Sequence, residues 1–295
     1  MRAALLAGIL AIAAGACHKQ PAAAPPAAPA ASADLEERLR RVEAILARSS
    51  EALEFLQKVY DQQRKQAEAE AGSEPAPGAV FGVAIDANVK AGLVEGPPAF
   101  VTVIKAFDFA CQYCERASPI LSELVKEYGG KLRVVYMDRV VHDFAEPAHL
   151  AGCAAARQGK FVPFKTAFWQ KGFGPYAASR GRDLSGFTTD ALLAMAKELQ
   201  LDVARFQADM TGRACAELLA HQRLELDRFK VDGTPTFIIN GVYIGGGLDK
   251  AALRSIIDER LRIAEASGVP AAQYYDREIL AKGEKKFRSR RDPKP

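Results

Sequence analysis

Residues 100–128 read FVTVIKAFDFACQYCERASPILSELVKEY, and the order of patterns within them decides the fold. FVTVIKAF is a nearly continuous apolar run, as expected of a strand buried on both faces. It ends at Asp108-Phe109-Ala110 and passes directly into Cys111-Gln112-Tyr113-Cys114, after which ERASPILSELVKEY carries a helical period. LRVVYM at 132–137 is a second buried-strand candidate. The unit is strand, C-x-x-C, helix, strand, with Cys111 at the helix N-terminus. Free backbone N–H groups and the positive end of the helix dipole favour thiolate over thiol there. The thiolate is the species that attacks or leaves in disulfide exchange.

A single C-x-x-C is also half a zinc site. Zinc needs two further ligands at metal-type spacing, and Cys153, Cys215 and the four histidines offer no second close pair. Neither a metal nor another cofactor is expected. Support for exchange chemistry comes from DGTPTFIINGVYI at 232–244. Pro235 opens an apolar strand, a position where its missing N–H is tolerated, and Asn240-Gly241 signals a tight hairpin turn.

FDFACQYC at 107–114, AEPAHLAGCAAARQGKFVPFKTAFW at 145–169 and GTPTFIING at 233–241 together resemble the DsbA-like thiol-disulfide oxidoreductases of the thioredoxin superfamily. The resemblance covers 80–264. It implies an α/β thioredoxin fold with an inserted helical subdomain at about 145–229, with helices expected at 146–158, 161–170, 188–199 and 213–229. It also implies that Cys111 is the exposed nucleophile, that Cys114 is the buried resolving thiol, and that a cis Thr234-Pro235 bond faces them and aligns a substrate strand. Gln112 and Tyr113 then tune the redox poise. The strongest oxidases of the family carry His where this chain has Tyr113, so a less oxidising couple is expected.

Lys105 departs from the family, which usually places a buried acid six residues before the first cysteine to handle the Cys114 proton. Either a one-residue shift turns Lys105 to solvent, or it points inward, where a cation would lower the Cys114 pKa and remove the usual proton acceptor. Cys153 and Cys215 fall in different helices of the insertion. They form a structural disulfide or serve as small buried hydrophobes, and geometry decides. His142 and His149 are assigned no catalysis.

Outward from this domain, MRAALLAGILAIAAGAC at 1–17 has the charged start, apolar run and small-residue end of a secretory signal peptide. Cys17 after Ala-Gly-Ala resembles a bacterial lipobox, which implies lipidation of Cys17, a membrane anchor and a leaning towards the outer membrane of the cell envelope. Residues 18–33 are an Ala/Pro-rich tether. From Asp34, read as a cap, a helix at 34–71 repeats Leu35, Leu39, Val42, Leu46, Ser49, Leu53, Leu56 and Tyr60 at alternating four- and three-residue steps. That is a heptad seam, widened by Ile45, Ala52 and Val59, and it predicts a homo-oligomer through 35–67, three or more strands suiting the wide stripe. The other reading is an amphipathic helix folded back on its own domain. A linker at 72–79 follows. Beyond the domain, 265–281 is expected to dock back through a short helix, and KGEKKFRSRRDPKP at 282–295 to be disordered.

The chain has 295 residues, a length that suggests roughly two domains. Its formal charge of +4 is a property of that tail, where 282–295 hold seven basic and two acidic side chains (+5), leaving about −1 for the rest. The composition excludes collagen-like and multi-span membrane classes, and no basic body suited to nucleic acid exists. The expected partners are cysteine-containing secreted proteins and a membrane protein that regenerates the redox state. The alternative is a non-catalytic lipid-anchored scaffold or holdase that uses the fold as a peptide groove, against which the intact Cys111, Cys114 and Pro235 argue.

Overall fold

The computed structural model describes residues 30–293, which fall into two units divided after Lys65. The signal segment, Cys17 and most of the tether lie outside the described residues. The first unit is carried by helix α1, Ala30–Ser73, which begins four residues before Asp34, so Asp34 is inside the helix and does not cap it. Its apolar positions are exposed, Leu39 at 56% and Leu46 at 53% among them.

The second unit is built on one sheet. After a short helix α2 (Asp86–Lys90) come β1 (Val94–Glu95), β2 (Val101–Phe107), helix α3 (Gln112–Glu127) and β3 (Leu132–Asp138). Strands β4 (Thr236–Ile239) and β5 (Val242–Gly245) form the hairpin expected at Asn240-Gly241, whose positive φ values of 42° and 82° suit its tight turn. The strand order is β1-β3-β2-β4-β5, with β2 and β3 parallel and the other neighbours antiparallel. Every residue of β2 and of β3 is buried.

Between β3 and β4 the chain makes the helical insertion. Its helices are α4 (Glu146–Ala156), α5 (Phe161–Lys171), α6 (Phe173–Ala178), α7 (Thr189–Glu198), α8 (Val203–Thr211) and α9 (Arg213–Arg228). Thr188 and Asp202 cap α7 and α8 through their side-chain oxygens. Alternation along β2 separates two cores. Val103 and Phe107 face a cluster with Leu121 of α3, Phe164 of α5 and Leu192 of α7, whereas Ile104 and Ala106 face Phe81, Leu226 and Tyr275. Helix α10 (Lys250–Ala266) covers the first core through Leu253 and Ile257.

The C-terminal segment differs from the expectation of a disordered tail. After helix α11 (Ala271–Tyr274) and a π-helical turn over Tyr275–Leu280, the described residues 282–293 strap back onto residues 74–82. Phe287 is buried and stacks on Phe81 at 5.6 Å between ring centroids. Glu284 N–H donates to Val80 O, and the N–H groups of Ala76 and Arg290 bond Arg288 O and Glu74 O respectively. The approach is close on both sides, since a Cβ on Gly283 of the strap would lie 2.6 Å from Gly82 N, and one on Gly82 would lie 2.9 Å from Leu280 O. Phe81 and Gly82 therefore pair with the tail rather than with a strand of the sheet, and the chain enters α2 at Asp86. One aromatic and a ladder of backbone bonds outweigh the basic composition, because Lys282, Arg288 and Arg290 each find a carboxylate.

Candidate active site

Strand β2 ends against the N-terminus of α3, and that junction carries the two cysteines that are unpaired among the described residues, 111 and 114. Cys111 occupies the N-cap in extended conformation (φ −91°, ψ 115°). Its thiol makes no capping bond and rests instead on Thr234 O at 3.3 Å, beside the cis Thr234-Pro235 bond that leads into β4. As a thiolate the sulfur gains a hydrogen bond from the Cys114 thiol. It also gains contacts with the Thr234 hydroxyl and with the N–H groups of Cys114 and Tyr113. Together these outweigh its partial burial and lower its pKa from 9.0 to about 5. Cys114, one helical turn on, is fully buried, and burial, together with its bond to Cys111, raises its thiol well above 9.0. One cysteine is therefore ready to attack at neutral pH and the other is held back.

Gln112 and Tyr113 stand at the mouth. Tyr113 is 52% exposed, with the Arg116 guanidinium over its ring at 5.7 Å. A recess of about 390 Å³ opens beside Cys111, walled by Tyr113, His142, Phe173, Tyr176 and Arg180. A larger cavity, about 440 Å³, lies along α3 among Glu95, Ser118, Ser122, Thr166 and Trp169, away from the Cys111 sulfur.

Lys105 points inward, so the one-residue shift to solvent does not occur. It shares a face with Val103 and Phe107, and its Nζ donates to Cys114 O at 2.9 Å. Burial lowers its pKa to about 8 against the pull of the two cysteines. Lys105 in turn pulls the Cys114 pKa down, but burial of that thiol prevails. Farther under the sheet, Lys165 Nζ reaches Glu95 Oε2 at 3.0 Å and the Tyr136 hydroxyl at 2.6 Å, while that hydroxyl donates to Glu95 at 2.8 Å.

A second buried cluster holds the loop before Cys111. Asp108 Oδ1 accepts from Ala110 N–H at 2.7 Å, and Oδ2 accepts from Val141 N–H at 2.7 Å, His142 N–H at 2.9 Å and His142 Nδ1 at 3.0 Å. His149, fully buried on α4, sits between Asp138 (2.6 Å from Nδ1) and Asp108 (3.4 Å from Nε2). Burial disfavours charge on this ring, and the Phe109 N–H at 3.2 Å from Nε2 suits the neutral form. The two buried carboxylates outweigh one amide dipole, and the His149 pKa is raised to about 9. The bonds from His149 and the loop hold Asp108 well below the usual carboxylate range despite its burial. Nothing in the sequence singles out this cluster, because Asp108, Asp138 and His149 meet only through the tertiary fold. The one available sign was a carboxylate ending a buried strand.

Cys153 of α4 and Cys215 of α9 are joined in a disulfide with Cα atoms 5.7 Å apart, which closes the alternative of two separate thiols.

Residues 87–259 match the sequence family described as Thioredoxin. The chain is 28% identical over 179 residues to a protein named Na(+)/H(+) antiporter NhaA of Herminiimonas arsenicoxydans, covering 60% of this chain and 27% of that one. It is 33% identical over 183 residues to NhaA 3 of Salinispora tropica, covering 57% and 25%. The chain thus spans about a quarter of the length of these curated relatives. No helix among the described residues is long and apolar enough to cross a membrane. Among solved structures, BdbD from Bacillus subtilis in its oxidised form superposes with a TM-score of 0.54 at 16% identity, covering 64% of this chain and 99% of that one. Wolbachia pipientis alpha-DsbA1 superposes at 0.50 and 17% identity, covering 59% and 93%. With a C-x-x-C at the head of α3, a cis-proline opposite it and helices inserted between β3 and β4, the chain belongs to the thioredoxin family and has the DsbA-like form of its fold.

Proposed function

We propose that this protein is a cell-envelope thiol-disulfide oxidoreductase that exchanges disulfides with cysteine-containing secreted proteins. The observation that carries it is the pairing of a thiolate-prone Cys111, resting on Thr234 O, with a buried Cys114 whose thiol is held protonated. In the oxidising direction a substrate thiolate attacks Cys111 Sγ of the enzyme disulfide and Cys114 leaves. A second substrate thiolate then attacks the mixed disulfide and Cys111 leaves as a stabilised thiolate. A stable Cys111 thiolate favours the reduced form, so the disulfide form is a ready donor. Tyr113 adds no cation beside the sulfur, which supports a potential between the roughly −120 mV of DsbA and the roughly −270 mV of thioredoxin. The recess beside Cys111 suits a side chain flanking the substrate cysteine.

Oxidase and isomerase use the same step in opposite resting states, one requiring Cys111 and Cys114 to be kept oxidised by a membrane partner, the other reduced. The signal-like start and Cys17 support envelope localisation by a lipid anchor, and the heptad seam on α1 supports self-association. Trapping the thiols in cells by alkylation reads the resting state. A wild type that neither oxidises a reduced model substrate nor rearranges a scrambled one, while Cys111→Ser changes nothing, would remove the proposal and favour a binding module.

A further inference from the structure

We propose that Lys105 is the base that takes the Cys114 proton during exchange, an amine standing where a carboxylate would be expected. This assignment presupposes the exchange reading above.

Lys105 is fully buried in the middle of β2, with the sheet paired on both sides, to Tyr136 of β3 and Phe237 of β4. Its one hydrogen bond is the donation to Cys114 O, and no carboxylate forms an ion pair with it among the described residues. The nearby carboxylate, Glu95, is committed to Lys165 and Tyr136. A buried ammonium without a counter-ion is strongly disfavoured, whereas a buried amine is not. With a pKa of about 8 the ammonium still predominates at pH 7, and it is the neutral fraction, growing as pH rises, that spends one N–H on Cys114 O and keeps a lone pair beside the residue whose thiol must ionise.

The other candidate bases are occupied. The Asp108 oxygens already accept four donors from Ala110, Val141 and His142, and His149 is clamped between two aspartates. The titratable groups facing Lys105 are Cys111 and Cys114 at the head of α3, Lys165 of α5, Glu95 of β1 and Tyr136 of β3. Lys165 disfavours a charge on Lys105. The cysteine thiolates and Glu95 favour one, so the amine gains a proton most readily when Cys114 loses its own.

The step balances. From a mixed disulfide on Cys111, the Cys114 thiol gives its proton to Lys105 Nζ, and the thiolate attacks Cys111 Sγ. The Cys111–Cys114 bond forms and the bond to the substrate breaks. The substrate sulfur leaves with the electron pair, and Lys105 later returns its proton to solvent. In the opposite direction the ammonium protonates the departing Cys114.

Ellman's reagent separates the two halves. Reduced protein releases one thionitrobenzoate when Cys111 attacks and a second when Cys114 resolves the mixed disulfide. The second release in wild type is expected to rise with pH and level off above about 8, where the amine is already neutral. Lys105→Met is expected to slow it at least tenfold at pH 7 and to make it climb about tenfold per pH unit beyond 9. Lys105→Arg, a cation that accepts no proton, stays slow, and Lys105→Glu, a carboxylate in the same place, recovers. The first release, governed by Cys111, serves as the folding control. A Lys105→Met rate equal to wild type overturns the assignment, as does full recovery in Lys105→Arg. Should the variants not fold, the wild-type profile decides alone, and a rise continuing through pH 9 without levelling overturns it. A wild type that never releases the second equivalent overturns the exchange reading itself.

Discussion

Cys111 and His149 titrate on opposite sides of neutrality for opposite reasons. The Cys111 pKa is depressed, so one thiolate is expected in the reduced protein with a midpoint near 5, read by absorbance at 240 nm, while Cys114 stays silent past 9. A midpoint near the ordinary thiol value would show that the Cys114 and Thr234 contacts do not hold the charge. His149 is raised from 6.5 to about 9, so its stabilising charge is complete below 6.5 and lost as pH rises through 9. The destabilisation caused by His149→Gln is therefore expected to be largest below pH 6.5, on the order of 3 kcal/mol. It should shrink as pH climbs to 9, as denaturant melts at a series of pH values would read. A constant penalty across that range would mean the ring is neutral and acts only by packing. These two residues also show what a sequence discloses at this scale. Cys111 was legible because a C-x-x-C after a buried strand has few other uses. The orientation of Lys105 was legible in principle as well. An apolar run on both sides of a lysine leaves β2 no solvent face, so a register shift would only have moved Lys105 from the α3 side to the core of Ile104 and Val135. The Asp108–His149–Asp138 cluster was not legible, since each member reads locally as an ordinary polar residue.

Between elements, two devices hold parts of the second unit together, and they predict different losses. The Cys153–Cys215 disulfide ties α4 to α9 across 62 residues of sequence. Closing a loop of that size limits the unfolded chain by about 4 kcal/mol in the chain-entropy account. Cys153→Ala with Cys215→Ala is accordingly expected to lower Tm by roughly 10 °C. The two Ellman phases should be unaffected, because the hydrogen bonds that hold the Cys111 loop come through Asp108, His142 and His149 and none comes from either of these cysteines. The strap over 282–293 acts through Phe287, which stacks on Phe81 and meets Tyr243 edge-on at 5.8 Å. Phe287→Ala is expected to cost about 3 kcal/mol, the usual scale for removing a buried ring. A melting curve unchanged by Phe287→Ala would return the tail to the status of a free basic extension. Four of the six helices of the insertion were legible through the family resemblance, but the short α6 and α8 were not, and neither was the strap. Its affinity for the body comes from alternate backbone bonds and one ring, which leave no periodic mark in a stretch dominated by Lys and Arg.

At the scale of the whole molecule, the unexplained quantity is the apolar surface on α1. Leu35, Leu39, Leu46, Leu53, Leu56 and Tyr60 are each more than half exposed in a single chain, and they fall on one seam. Covering a leucine gains about 1.5–3 kcal/mol, so six such positions per chain provide enough to associate helices even after the entropy of assembly is subtracted. The occupant we propose is another copy of the same helix, because a heptad partner meets a and d positions in register over four turns or more. Light scattering on protein without its first 17 residues is expected to give a multiple of the monomer mass, with a trimer favoured by the width that Ile45 and Val59 add. Leu39→Glu, Leu46→Glu and Leu53→Glu in one chain should yield a monomer whose two Ellman phases match wild type. The same variant then separates the two forms of the proposed function. An oxidase acts through one Cys111 at a time and keeps its rate as a monomer. An isomerase that holds a misfolded substrate between neighbouring active sites loses rearrangement of scrambled ribonuclease while still forming mixed disulfides. A wild-type mass equal to one chain would instead leave the seam to a contact within the chain and remove self-association altogether.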